Sequence, residues 1–142
     1  MEGGIRKAEI QVSRLTWRLQ RTNPKKRKKM ELNHVQEGVN TIITIKGRFD
    51  SATAPVAANV IKEILDNDCH RVLFNLNDLE YLSSSGLRVI LGMAKELKRK
   101  EGKLILCSLH QFVKEVFVVS GFESLIPIEE TVESGIKQLD SN

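Results

Sequence analysis

Residues 71–91, RVLFNLNDLEYLSSSGLRVIL, are the stretch of sequence that decides the fold. An apolar run within 71–76 is typical of a buried central strand, and the residues that follow predict a turn through 77–82. From Ser84 onward, apolar residues recur at helical spacing. They are Leu87, Ile90, Leu91, Ala94 and Leu97. We therefore predict a strand, a turn and a helix that opens beside three consecutive serines.

Upstream of this unit, the pattern predicts two paired strands and a helix. Alternating and β-branched residues mark the strands at 32–36 and 39–46, and Gly47 is expected to end the second. The helix runs to about Asp66. Candidate capping oxygens precede it on Asp50, Ser51 and Thr53.

Downstream, short apolar runs alternate with amphipathic segments. They predict strands at 104–107 and 125–128 and helices at 110–119 and 132–139. The complete order is β-β-α-β-α-β-α-β-α. Such alternation predicts an α/β fold, with a mixed, mostly parallel sheet of four to five strands and about four helices.

Length and composition indicate a single domain. At 142 residues and 41% hydrophobic, the chain can bury a sizeable core. Its longest apolar stretches fall far short of the roughly 20 residues of a membrane-spanning helix. Residues 1–5 do not lead into the apolar core of a secretory signal. We therefore expect a soluble, cytoplasmic protein.

The cysteines and histidines show no ligand pattern. Cys69 and Cys107 are 38 positions apart without a Cys-x-x-Cys pair, and the three histidines are scattered. We expect reduced structural thiols, no metal site and no cofactor.

The net charge of +4 averages two different segments. Residues 1–29 hold ten Lys and Arg against two Glu, a net charge of +8. Residues 30–142 hold twelve basic and sixteen acidic residues, a net charge of −4. Because phosphate binding needs clustered basic charge, the acidic body is not expected to bind nucleic acid directly.

Residues 1–29 form a basic extension that ends in an uninterrupted cationic run at 25–29. Such a run is typical of a nuclear-import or nucleic-acid patch, or of an anchor to anionic lipid beside Trp17. A third explanation comes from the genetic code, because Lys codons and some Arg codons contain only purines. A purine-rich ribosome-binding site ahead of a methionine codon would therefore give such a run if it were translated by mistake. Our hypothesis is that Met30 is the natural start, with 1–29 an over-extended gene prediction or a disordered arm and 30–142 the folded domain.

The serine turn, Ser83-Ser84-Ser85-Gly86, places hydroxyls at a helix amino terminus, where up to four backbone N–H groups lack a helical partner. A plain N-cap is one explanation, although it needs only one hydroxyl. Gly86 is not explained by capping, because glycine costs about 1 kcal/mol inside a helix and indicates close approach by backbone or by a partner. The other explanation is an anion site, in which the helix terminus would accommodate a phosphoserine.

Residues 75–91 resemble the signature of STAS domains of the anti-sigma factor antagonist family. Gly47-Arg48-Phe49-Asp50 upstream, and 113–117 and Ser120-Gly121-Phe122 downstream, match the pattern of that family in the same order. The similarity covers residues 31–140. It implies a STAS fold and a binding module rather than an enzyme.

In this family, the serine two residues before the glycine is the phosphorylation acceptor, which corresponds to Ser84, with Ser85 and Ser83 as fallback acceptors. The resemblance implies partner switching. The unphosphorylated protein captures an anti-sigma factor that is also a serine kinase, and phosphorylation releases it. A serine phosphatase is a further implied partner, and the free protein is expected to be a monomer.

The implied partner-binding face comprises Asp50, Ser83, Ser84, Ser85, Gly86 and Arg88. Arg88, four residues after Ser84, is placed either to hold the phosphate or to be a solvated helix residue. Sporulation and stress-response members of the family usually carry Asp where this chain has Ser83.

Two other classes of function compete with this one. Because this chain has Ser83 where those family members usually carry Asp, a second function remains an alternative. It is that of a STAS regulatory or adaptor subunit outside sigma control, in lipid transport, chemotaxis or ligand sensing. A serine hydrolase would need Gly-x-Ser-x-Gly, but Leu82 stands two residues before Ser84 and no histidine is tied to a carboxylate by pattern. We therefore expect no catalytic residue.

Overall fold

The structure, a computed structural model, describes residues 30–141. The predictions made for residues 1–29, including the hypothesis that the natural chain starts at Met30, lie outside the described residues.

Six strands and four α-helices alternate along residues 30–141. The strands are β1 (Met30–Glu37), β2 (Asn40–Phe49), β3 (Arg71–Asn75), β4 (Leu79–Leu82), β5 (Lys103–Cys107) and β6 (Ile128–Glu129). The helices are α1 (Ala54–Leu65), α2 (Ser84–Arg99), α3 (Gln111–Ser120) and α4 (Val132–Asp140), with a short 3-10 helix at Phe122–Ser124.

The strands form one mixed sheet in the order β1-β2-β3-β5-β6, with β4 attached to β2. Only the β1–β2 pair is antiparallel among these strands, and the others pair in parallel. The α/β fold class predicted from the sequence is therefore confirmed.

The sheet has one strand more than the predicted four to five, because β4 forms within the segment expected to be a turn. Strand β2 is long enough to serve two partners on one side. Its residues 40–44 pair with β3, and Gly47–Phe49 pair with β4. The register shifts after Gly47, which therefore marks the change of partner rather than the end of the strand.

Two apolar layers cover the two faces of the sheet. Alternate residues of a strand point to opposite faces, so Val72 and Phe74 enter one layer and Leu73 enters the other. Helices α1, α2 and α3 supply the first layer, with buried residues such as Ile61, Ile90 and Phe117. Helix α4 is the one helix of the described chain that packs on the second face. The buried residues of this second layer come from the sheet and from α4: Ile42, Leu73, Ile105, Cys107 and Leu139, with Val35, Val132 and Ile136 packed against them.

Among residues 30–141, the helices are all too short or too polar to pass through a lipid bilayer.

The small second layer makes α4 sensitive to truncation of one side chain. Leu139 is fully buried, so Leu139→Ala should lower the free energy of unfolding by about 2–5 kcal/mol through lost burial and the cavity left behind. Urea unfolding followed by circular dichroism measures this. The exposed neighbour Lys137 is the control, since Lys137→Ala should change stability by less than about 0.5 kcal/mol. Equal effects of the two substitutions would contradict the assigned packing.

Candidate functional site

The serine turn lies where β4 passes into α2, beside the end of β2. In the parallel pairing, Phe49 is opposite Leu82, and the Ser83 N–H donates to the Phe49 carbonyl at 2.9 Å. The chain therefore leaves both strands at the same edge of the sheet. Asp50 directly follows Phe49, so the structure brings the Asp50 segment next to the serine turn.

The three serines occupy different environments. Ser83 is the N-cap of α2: its hydroxyl oxygen accepts from the Gly86 N–H at 3.2 Å, and its carbonyl accepts from the Leu87 N–H at 2.9 Å. Ser84 is the first residue of the helix and is exposed, and within the described chain its hydroxyl has no hydrogen-bond partner. Ser85 is half-buried. Capping therefore occupies Ser83 and leaves the Ser84 hydroxyl accessible.

Gly86 allows α2 to begin against the end of β2. A Cβ atom at this position would lie 2.7 Å from the Phe49 carbonyl oxygen and 2.9 Å from both the Phe49 side chain and the Leu82 side chain. The close backbone approach expected at Gly86 is thus confirmed. The close contact between Gly86 and Phe49 therefore sets the position of the serine turn relative to the end of β2.

Asp50 closes the loop between β2 and α1. Its carboxylate oxygen Oδ1 accepts from the backbone N–H groups of Ala52 at 3.0 Å and Thr53 at 3.2 Å. Thr53 occupies the N-cap position of α1, but its side chain makes no capping hydrogen bond and its hydroxyl donates to the Arg48 carbonyl at 2.9 Å. Of the three predicted capping residues, Asp50 and Thr53 thus form hydrogen bonds within the loop, and the Thr53 side chain does not cap α1.

Arg48 and Tyr81 join adjacent strands beside the site. The Arg48 guanidinium lies 4.1 Å from the centre of the Tyr81 ring, and its Nε atom is 3.6 Å from Asp50 Oδ2. The arginine therefore connects the Asp50 loop to β4 through a cation–π contact and an ion pair. Sequence reasoning assigned neither residue to the site, because Arg48 and Tyr81 become neighbours only through the β2–β4 pairing.

Arg88 lies one helical turn after Ser84, and positions four residues apart share a helical face. It is exposed, and no carboxylate of residues 30–141 lies within ion-pair distance of it. A residue with an uncompensated guanidinium therefore lies on the same face of α2 as Ser84, one turn further along.

A cleft of about 920 Å³ lies beside the β3–β4 connection, and Arg48 belongs to its lining. His110 and Phe112 line it, with their rings stacked at a centroid distance of 6.1 Å. The His110 Nε2 atom lies 2.6 Å from the Asn77 carbonyl oxygen, which can only accept, so Nε2 carries the proton. This contact ties the start of α3 to the loop that leads into β4.

The cysteines lie away from these groups. Both Cys69 and Cys107 are buried and unbridged. Burial raises the pKa of the Cys107 thiol, which disfavours the reactive thiolate.

Comparison with known proteins identifies the class to which this arrangement belongs. The sequence profile of the STAS domain matches residues 31–135, and the chain therefore belongs to the STAS domain family. BtrV of Bordetella bronchiseptica, a candidate anti-sigma factor antagonist, is 39% identical over 93 residues, which cover 66% of this chain and 80% of BtrV. The resemblance to anti-sigma factor antagonists is confirmed.

Solved structures show the same fold. An anti-sigma factor antagonist from Mycobacterium paratuberculosis matches with a TM-score of 0.74 at 15% identity, over 79% of this chain and 95% of that one. The Bacillus protein SpoIIAA in its phosphorylated form matches with a TM-score of 0.62 at 22% identity, over 75% of this chain and 97% of SpoIIAA.

The two glycines of α2 provide a test of the packing at the serine turn. Gly86→Ala should lower the free energy of unfolding by about 1–3 kcal/mol, because the methyl group meets the Phe49 backbone. Gly92 is exposed with open space at its Cβ position, so Gly92→Ala should raise stability by up to about 1 kcal/mol through helix propensity. Chemical denaturation measures both, and stabilisation by Gly86→Ala would contradict the close approach.

Proposed function

We propose that this protein is an anti-sigma factor antagonist that acts in partner switching. Unphosphorylated, it binds an anti-sigma factor that is also a serine kinase, and phosphorylation of Ser84 releases it. The observation that carries the proposal is the exposed Ser84 hydroxyl at the amino terminus of α2, next to a serine that already satisfies the cap. The name of BtrV and the phosphorylated form of SpoIIAA support it.

The position of Ser84 suits reversible phosphorylation. A phosphate carries about −1.5 to −2 charges at neutral pH, and a helix amino terminus offers positive dipole and unpaired N–H groups. Ser83, rather than Ser84, holds the N-cap bond, so modification of Ser84 removes no hydrogen bond of the described fold. The fold should therefore survive phosphorylation, while the surface that meets the partner changes.

Release follows from the cost of burying a charge. An interface complementary to a neutral hydroxyl would have to desolvate a dianion, which is very costly without a cation from the partner. The Asp50 carboxylate belongs to the same edge, where the Arg48 guanidinium, 3.6 Å away, already compensates part of its charge. Arg88 is the nearby cation on the helix, and it would hold the phosphate against the domain's own surface or remain solvated.

The proposed partner-binding face is the set named from the sequence: Asp50, Ser83, Ser84, Ser85, Gly86 and Arg88. Buried Gly86 would act by setting the position of the turn, whereas Ser84 and Arg88 would meet the partner directly. The kinase would supply the ATP chemistry, so this chain would act without catalysis and without a cofactor. A serine phosphatase would restore the hydroxyl. We further propose that the protein works in the cytoplasm as a monomer and does not bind nucleic acid directly.

Ser83 supports a second candidate, a STAS adaptor or regulatory subunit outside sigma control, in lipid transport, chemotaxis or ligand sensing. Ser and Asp are comparable N-cap residues, so serine keeps the cap but removes one negative charge from the turn. A kinase that recognises that charge would select against this chain, which is why the partner must be tested separately from the fold.

Phosphorylation can be localised directly. The purified chain, ATP and each candidate serine kinase of the same genome should give one phosphate on Ser84, located by tandem mass spectrometry. Ser84→Ala should abolish incorporation, whereas Ser85→Ala should retain it, because Ser84 is the exposed hydroxyl at the helix start. Phosphate on Ser83 or Ser85 in the unmodified chain would contradict the assignment.

The bound partner discriminates the two candidate functions. Ser84→Ala, which cannot be released by phosphorylation at that position, should retain an ATPase of the histidine-kinase-like class together with a sigma factor when it is used as bait in its own host. Quantitative mass spectrometry against a Ser84→Glu bait measures this enrichment. Recovery of transporter subunits instead would favour the second candidate.

A further inference from the structure

A second cleft, of about 610 Å³, lies at the opposite end of α2 from the serine turn. Its walls are the carboxyl-terminal half of α2, the start of β5, the segment that leads into β6 and the end of α4. The volume is in the range of small-molecule sites, roughly 300–1,000 Å³. Nothing proposed for Ser84 involves this cleft.

The wall of the cleft is mainly apolar. Leu91 and Ala94 of α2 face Leu104 of β5 and the 125–127 segment. Leu125 is 66% exposed although it belongs to this lining. A large apolar side chain left open to solvent at the edge of an apolar cleft indicates a surface that a ligand can cover.

The charges around the cleft have one sign. Lys95, Lys98 and Lys103 contribute to the lining, and no carboxylate does. The Lys103 ammonium donates to the backbone carbonyls of Gln138 at 3.1 Å and of Ser141, at the end of α4. Lys95 and Lys98 make no ion pair with any carboxylate of residues 30–141. Two uncompensated ammonium groups therefore accompany the apolar wall.

Strand β5 also leaves a peptide group without a strand partner in this region. Successive residues of β5 direct their backbone N–H and C=O groups alternately to the strands on its two sides. The Lys103 N–H donates to the His70 carbonyl beside β3, and the Leu106 N–H donates to the Pro127 carbonyl beside β6. Leu104 therefore directs its N–H and C=O toward the β6 side. Pairing with β6 covers only Leu106 and Cys107.

The segment before β6 cannot extend the ladder. Pro127 has no N–H to donate to the Leu104 carbonyl. The N–H groups of Leu125 and Ile126 are engaged by the Phe122 carbonyl, at 2.9 and 3.1 Å. On the N–H side, Leu104 donates to no carbonyl of the 125–127 segment. Its N–H is therefore available to water or a ligand in the cleft.

We propose that this cleft binds a small amphipathic carboxylate, a molecule with an anionic head and an apolar chain. Lys95 and Lys98 neutralise the carboxylate, the apolar wall covers the chain, and the Leu104 N–H is a donor within the same cleft. An added peptide strand fits less well, because the free edge offers the hydrogen bonds of only one residue, whereas strands usually have about 5–6.

Decanoate is a suitable probe, with decanol as the uncharged analogue. Titrated below its micellar concentration into the full chain, decanoate should cause saturable shifts of the backbone amide signals of Leu104, Ala94 and Leu125 in heteronuclear NMR spectra. The double variant Lys95→Gln/Lys98→Gln should bind decanoate about tenfold more weakly, as expected for the loss of two exposed ion pairs. Its affinity for decanol should stay within about twofold of the unmodified chain.

Lys137→Gln is the matched control, because Lys137 is exposed on α4 but does not line the cleft. It should leave decanoate binding unchanged. Ala94→Trp, which fills the cleft, should abolish the binding of both probes while α2 and the sheet keep their amide signals.

Three results would overturn the proposal: no saturable shifts with decanoate, shifts that map outside the cleft, or equal decanoate affinity in the double variant. Saturable binding of an acidic peptide but not of decanoate would assign the cleft to a protein partner and would also overturn it. The proposal is independent of Ser84, so phosphorylation and probe binding can succeed or fail separately.

Discussion

The hydrogen bond from the Ser83 N–H to the Phe49 carbonyl is the interaction on which the site depends. It extends the β2–β4 pairing by one residue and brings the amino terminus of α2 to the end of β2. Gly86 permits this contact, because any larger residue would meet the same Phe49 carbonyl. The position of Ser84 beside the Asp50 segment follows from it, and the Arg48–Tyr81 contact follows from the strand pairing that this bond extends.

In the structure, capping the helix and presenting an accessible hydroxyl fall to two different serines, which the run of three serines in the sequence does not distinguish. One hydroxyl terminates the helix and another remains exposed for chemistry, so a modification can alter the surface without removing the cap. Under the proposed function, this division would let phosphorylation change the partner surface while the cap of α2 stays in place. In the proposed switch the change would be electrostatic and local, and it would weaken partner binding through the cost of desolvating the phosphate.

Much of the fold could be predicted from the sequence, because it depends on local patterns. The apolar run at 71–76 indicates a buried strand, and the spacing of apolar residues after Ser84 indicates α2. Strand β4 could not, since Leu79–Leu82 is a four-residue segment whose extended form depends on pairing with the distant end of β2. For the same reason, the contact between Arg48 and Tyr81 was missed. The serine turn and the glycine were recognisable, but only the backbone geometry distinguishes the capping role of Ser83 from the exposed position of Ser84.

The central claim is that one phosphate on Ser84 changes partner affinity while the fold stays the same. Isothermal titration of the cognate anti-sigma kinase with the unphosphorylated chain and with the chain stoichiometrically phosphorylated on Ser84 tests it most directly. We expect the affinity to be at least roughly a hundredfold weaker after phosphorylation, with unchanged circular dichroism, because the interface would have to bury an unpaired dianion. Equal affinity of the two forms, or loss of affinity accompanied by unfolding, would contradict it.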